Sequence, residues 1–126
     1  MKLLFIHQNF PAQFKHVVEA LAESSDNDIV AVTDERNKND HHSLIKNLKV
    51  VYYKSQIRVH PATHHYIRDF EGHIQRGQQV LLVCQTLARE GFNPDVVVAH
   101  PAWGEALFLK DIFPNSRHLY YFEYFY

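Results

Sequence analysis

Apolar residues fall along the chain in short continuous runs, separated by longer segments in which apolar and polar positions are mixed. Runs rich in β-branched and aromatic residues and bounded by polar ones are typical of strands. Such runs occupy residues 3–6, 28–33, 48–53 and 95–99, and the aromatic segment 117–126 predicts a further strand. The run DVVVA at 95–99 follows Pro94 and is almost wholly apolar, as expected of a strand covered on both faces.

Between these runs the apolar residues recur at intervals of three or four, which predicts helices. Pro11 opens a helical segment over 12–24, whose apolar stripe is formed by Phe14, Val17, Val18 and Leu21. A long helix is predicted from about Tyr66 to Glu90, ending before Gly91. A short helix is predicted over GEALFLKD, residues 104–111.

Strands that alternate with helices predict parallel crossover connections. We therefore expect a Rossmann-like, doubly wound α/β sheet of about five strands in the order 3-2-1-4-5. The length of 126 residues fits a single α/β domain, 1–126. The sequence ends on YYFEYFY with no helix to cover the last strand, so we expect a truncated part of a longer protein. The same exposed aromatic face favours a homo-oligomer.

Composition excludes several classes of protein. Thirteen basic and fourteen acidic residues give a formal charge of -1, which argues against a nucleic-acid partner. A local excess of basic residues between Arg36 and Arg58 is most simply a solvated face, with a patch for an anionic substrate or a membrane surface as the alternative. Cys84 is the only cysteine, and no signal peptide or membrane span is evident. We expect a cytoplasmic protein, with a peripheral position at the membrane as the alternative.

Chemistry concentrates directly after two of the predicted strands. The first strand is followed by HQNFP at 7–11 and the fourth by HPAWGE at 100–105. In an open parallel sheet ligands bind at the carboxyl ends of strands, where the winding reverses, and these two strands are neighbours in the predicted order. Imidazoles and amides beside an aromatic face suit a hydroxyl-rich ligand. The candidate site residues are His7, Gln8, Asn9, Phe10, His100, Trp103, Gly104 and Glu105.

Several of these residues also have a structural interpretation. Either histidine can be a core residue bonded to backbone, and Trp103 can cap the core. Glu105 lies in the first turn of a predicted helix, where the helix dipole favours a carboxylate in any protein. Asn9, ahead of Pro11, can be a cap only.

Bound metals and dinucleotides find little support in the sequence. His60 and His64 have helical spacing, but Pro61 keeps His60 out of a helix, and no acidic or cysteine ligand completes a set. With four glycines in all, there is neither a P-loop nor a Gly-x-Gly-x-x-Gly motif. We therefore predict no metal and no resident cofactor.

Three segments carry a family resemblance: LFIHQNFPAQFKHVVEALA, GFNPDVVVAHPAWGEALFLKDIFP and the closing YYFEYFY. Together they resemble the amino-terminal domain of family 4 glycosyltransferases, retaining enzymes of the GT-B architecture. The resemblance runs from the first strand to the last residue, although residues 34–62 support it only by length. Ala12 and Ala102 stand where the family usually has glycine.

The resemblance implies a two-domain enzyme with its active site in the cleft between the domains and no catalytic metal. The amino-terminal half binds a sugar or lipid-linked acceptor, and the missing carboxyl-terminal domain holds the nucleotide-sugar donor, a co-substrate. A histidine after a strand of the first domain typically contacts the donor sugar, and His100 matches it as the catalytic candidate. The 126 residues are then inactive alone. The alternative is a stand-alone, flavodoxin-like sugar- or nucleotide-binding module without transferase activity.

Overall fold

The computed structural model describes residues 1–38 and 45–123. Within these ranges one sheet has five strands: β1 (Lys2–Ile6), β2 (Asp28–Asp34), β3 (Leu48–Tyr53), β4 (Val96–Ala99) and β5 (Arg117–Tyr120). All neighbouring strands pair in parallel, in the order β3-β2-β1-β4-β5. The predicted fold class and strand order are therefore confirmed. Part of the basic segment, 39–44, lies outside the described residues.

The helices are α1 (Lys15–Ala22), α2 (Arg68–Arg89) and α3 (Leu109–Ile112). Short 3-10 turns occupy Ala12–Phe14, Glu35–Asn37 and His65–Ile67, which is why α1 and α2 begin later than the apolar spacing predicts. The long helix ends where expected. Gly91 has a positive φ of 88°, and Phe92 N donates to Leu87 O over 2.9 Å, a glycine-dependent helix end.

Two predicted elements are shorter than expected. Residues 104–108 form turns in place of the first part of the predicted helix 104–111. Gly104 has φ 101°, outside the helical region, and a Cβ there would lie 2.1 Å from the carbonyl oxygen of His73 in α2. This close approach requires glycine and prevents a helix from starting at that point.

The final strand also ends earlier than the predicted boundary at 126. Tyr121 N still donates to Ala99 O over 3.0 Å, but Ala99 is the last residue of β4. Beyond it β5 has no neighbouring strand with which to pair. Residues 121–123 lie outside the strand, and 124–126 lie outside the described residues.

Both faces of the sheet are covered by apolar side chains. One face packs against α2 and α3, and its buried cluster comprises Leu4, Ile6, Val30, Val32, Tyr53, Val80, Cys84, Leu87, Val97, Ala99, Leu109 and Phe113. The other packs against α1 through Leu3, Phe5, Phe10, Phe14, Val18, Ala22, Ile29 and Ala31. Successive residues of β1 thus face opposite layers, as strand geometry requires. Burial raises the pKa of the Cys84 thiol to about 12, which keeps it protonated and unreactive.

Ala12 offers a test of backbone strain. This exposed residue has φ 38°, on the left-handed side that costs a non-glycine residue about 1–2 kcal/mol. Glycine would relieve that cost while losing about 0.5–1 kcal/mol through the freedom of the unfolded chain. We expect Ala12→Gly to raise the free energy of unfolding by about 0.5–1 kcal/mol in urea titrations.

The matched control is Ala20→Gly, at an exposed position inside α1. That change should lower the free energy of unfolding by about 1 kcal/mol, because glycine is a poor residue for a helix interior. Equal losses from both variants would contradict the interpretation of Ala12.

Candidate functional site

A pair of buried histidines lies where β1 and β4 end. Ile6 is opposite Ala99 in the parallel register, so His7 and His100 are the next residues along their strands. Backbone hydrogen bonds hold both: His7 N donates to Val32 O over 3.2 Å, and His100 N donates to Ile6 O over 3.1 Å. The two imidazole centroids are 4.9 Å apart at an angle of 60°. Their relative exposures are only 4% and 2%, so the sheet fixes a buried imidazole pair.

His7 is set up as a hydrogen-bond donor. Its Nδ1 accepts from Asn9 N over 2.9 Å, so the neutral ring carries its proton on Nε2. Burial, and then the neighbouring His100, lower the pKa of His7 to about 4, while Gln13 and Glu123 oppose the shift without reversing it. Nε2 has no hydrogen-bond partner of ordinary geometry in 1–38 and 45–123. At neutral pH the site therefore contains a buried N–H group without a hydrogen bond of ordinary geometry, although the Gln13 side chain lies near enough to act on the pKa of the ring.

His100 meets a carboxylate from the far end of the chain. Its Nε2 lies 3.2 Å from Glu123 Oε2, although the contact does not have hydrogen-bond geometry. Glu123 Oε1 in turn accepts from Gln13 Nε2. The Tyr121 ring lies 6.4 Å from that of His100 and 6.2 Å from that of Phe14, centroid to centroid. Tyr121 and Glu123 therefore lie over the histidine pair.

Glu105 belongs to a second buried group. Its Oε1 accepts from the Tyr53 hydroxyl over 3.0 Å and lies 3.8 Å from Arg76 Nε. Arg76 also donates from its terminal nitrogen to Trp103 O over 2.6 Å. Burial raises the pKa of Glu105, although Tyr53, Arg76 and His100 all favour its charged form. Its Oε2 has no hydrogen-bond partner among the described residues and is free to accept one.

The two groups lie on opposite faces of the sheet. Strand alternation directs His7 and His100 to the α1 side, where the His7 ring lies 5.6 Å from that of Phe14. Tyr53 belongs to the cluster on the α2 side, and its partner Glu105 lies there with it. The residues predicted to face one crevice thus fall into two groups, one on each face of the sheet at the ends of its strands.

The remaining predicted residues are distributed around these groups. Gln8 O accepts from Thr33 Oγ1 over 2.9 Å, which ties the first loop to β2. The Asn9 side chain is exposed and Phe10 is fully buried in the α1-side core. Trp103 is half exposed, and its ring lies edge-on to His73 at 6.3 Å. Gly104 packs against the α2 backbone. A substrate-binding role for each of these residues stays a prediction.

Sequence reasoning missed several residues at this edge. Tyr53 and Asp34 are the last residues of β3 and β2, so the strand-end rule used for His7 would also have selected them. Asp34 is buried and accepts from Arg36 at both oxygens, over 2.9 and 2.6 Å. Burial acts to raise the pKa of Asp34, but the hydrogen bonds from Arg36 hold it below the ordinary value. Arg76 had no comparable signal, because it lies in the middle of a helix.

No group of three or more His, Cys, Asp or Glu side chains among the described residues is arranged to hold a metal ion. None of the described helices combines the length and apolar character that crossing a membrane would need.

The parallel sheet defines a Rossmann-like α/β domain, with buried polar side chains at the carboxyl ends of its strands. Residues 25–126 match the family described as the glycosyl transferase family 4 group, and the chain belongs to it. This confirms the resemblance drawn from the sequence. The matched region includes His100 and Glu105, whereas His7 precedes it.

Other comparisons bear on the fold alone. The C-terminal domain of a hydrogenase from Pyrococcus furiosus has a TM-score of 0.55 at 13% identity, over 94% of this chain and 89% of that one. At such low identity the similarity supports the α/β architecture and nothing about activity. A comparison with curated proteins finds no match.

The lowered pKa of His7 predicts that the folded protein loses stability in acid. A histidine whose folded pKa is about 4, against about 6.5 unfolded, contributes stability above pH 6.5 that is lost as the pH falls towards 4. Between pH 7 and pH 4 this amounts to roughly 3 kcal/mol. Urea titrations should show the wild type losing about that much more stability over this interval than His7→Gln.

The control is His16→Gln, which replaces a histidine exposed on α1. It should retain the full acid-induced loss. Parallel stability curves for the wild type and His7→Gln would show that His7 is not held neutral by its environment.

Proposed function

We propose that the chain is the acceptor-side, amino-terminal domain of a retaining glycosyltransferase. The parent enzyme moves a sugar from a nucleotide-sugar donor to an acceptor hydroxyl, with the nucleotide-sugar as co-substrate. The observation that carries this proposal is the buried His7–His100 pair, whose ring nitrogens include three without a hydrogen bond of ordinary geometry, in a member of the glycosyl transferase family 4 group. Buried polar atoms without partners are rare in folded proteins.

A sugar is well matched to these unused groups. Each sugar hydroxyl both donates and accepts hydrogen bonds. One hydroxyl can therefore accept from the His7 Nε2–H group while it donates to a nearby oxygen or nitrogen. On the other side of the strand ends, Glu105 Oε2 is a further unused acceptor. Several hydrogen bonds of this kind can orient a polyol.

Catalysis requires the opposite wall of the cleft. In the proposed enzyme the second domain brings the donor against the carboxyl edge of this sheet, where His100 contacts the donor sugar. As the glycosidic bond to the nucleotide breaks, positive charge develops on the sugar ring. An imidazole contact that strengthens with this charge lowers the barrier more than it improves binding.

Replacing His100 tests this role in the complete enzyme. Because His100 is buried, His100→Gln is preferable to alanine, which would leave a larger cavity. We expect kcat to fall about tenfold or more, about 1.4 kcal/mol, with a smaller change in KM. Nucleotide release from a panel of nucleotide-sugars, normalised to folded protein by circular dichroism, measures both constants.

His16→Gln serves again as the control, because it alters an exposed histidine on α1. Its kcat should match that of the wild type. If His100→Gln melts much earlier but keeps its turnover per folded molecule, His100 only supports the core.

Residues 1–126 alone should not transfer sugar. One wall of a cleft cannot hold donor and acceptor in a reactive orientation, and orientation supplies much of the rate enhancement in two-substrate reactions. The same nucleotide-release assay should give the background rate for the isolated chain. Robust transfer by the chain alone would contradict the two-domain proposal. If the complete protein binds sugar but does not transfer it, the result would favour a binding module.

A further inference from the structure

The carboxylate of Glu123 lies beside the histidine pair. Its Oε2 is 3.2 Å from His100 Nε2, and Gln13 fixes its other oxygen through an amide hydrogen bond. The Glu123 side chain is 30% exposed, so it lies between the buried rings and solvent. A ligand that reaches the unused Nε2–H group of His7 therefore meets this carboxylate.

Three basic side chains of the described residues, His7, Arg36 and Arg76, are not available to offset its negative charge towards a ligand. His7 is neutral, with its pKa lowered to about 4 by burial and by His100. Arg36 and Arg76, two arginines at this edge of the sheet, already pair with Asp34 and Glu105. A second anion beside Glu123 would be repelled at short range in a partly buried site, whereas a hydroxyl could donate to it.

We propose that Glu123 determines specificity at this site: its carboxylate accepts a hydroxyl of an uncharged sugar and excludes sugars with a carboxylate or phosphate at that position. This inference rests on the proposed function, because it assumes that the site takes a sugar. To the proposed function it adds the class of sugar that binds and the residue that selects this class. Glu123 acts on binding, so its effect is separable from turnover.

The test is a titration of the chain followed by the imidazole signals of His7 and His100 in 15N NMR spectra. The probes are the methyl glycosides of glucose, galactose and mannose, each compared with its uronate. We expect at least one uncharged glycoside to shift both rings, with its uronate binding at least tenfold more weakly. In Glu123→Gln that ratio should shrink about tenfold, because the repulsive charge is removed from an otherwise similar side chain.

A matched control is Glu23→Gln, which removes the same charge at the end of α1, at the opposite edge of the sheet. It should keep the wild-type ratio, and unchanged backbone amide spectra would show that both variants are folded. The inference is overturned if no glycoside shifts the rings, if a uronate binds as well as its glycoside, or if Glu123→Gln keeps the wild-type ratio. Sugar transfer by the complete enzyme is measured separately, so failure here does not decide the proposed function.

Discussion

The parallel pairing of β1 with β4, with Ile6 opposite Ala99, is the constraint on which the site depends. This register makes His7 and His100 neighbours, although they come from opposite parts of the sequence. β1 also pairs with β2 on its other side, so it is held along both edges. A shift of one residue in the pairing of β1 with β4 would turn one histidine to the other face and separate the two rings.

The layers on the two faces of the sheet give the two polar groups different environments. On the α1 side the histidines lie against Phe14 and beneath Tyr121, which limits access of water and keeps His7 neutral. On the α2 side Glu105 is bonded to Tyr53 and close to Arg76, so a buried carboxylate has both a donor and a counter-charge. Both groups thus keep polar atoms without ordinary partners: ring nitrogens in the first group, and Arg76 Nε and Glu105 Oε2 in the second.

The sequence was sufficient for the strands, their order and the meeting of the two histidine loops. Each strand is a short apolar run, and the topology rules leave few ways to connect such runs through helices. The rest depended on contacts that no local pattern encodes. From the sequence alone, Gly104 is predicted to begin a helix. Only the structure shows that it lies against the His73 backbone. Glu123 lay inside an aromatic run interpreted as strand, and its place on His100 follows from β4 ending at Ala99.

The ring nitrogens of the histidine pair that lack ordinary hydrogen-bond partners support the proposed binding role. A buried polar group without a partner costs about 1–3 kcal/mol, so a purely structural position would favour an apolar side chain. The chain has such atoms on His7 and His100, directly after strands whose other side chains are well packed. The rigid sheet tolerates this cost and holds the rings in place. In the proposed function, a hydroxyl-bearing ligand that displaces the covering side chains recovers part of this cost as binding energy, because it supplies the missing partners.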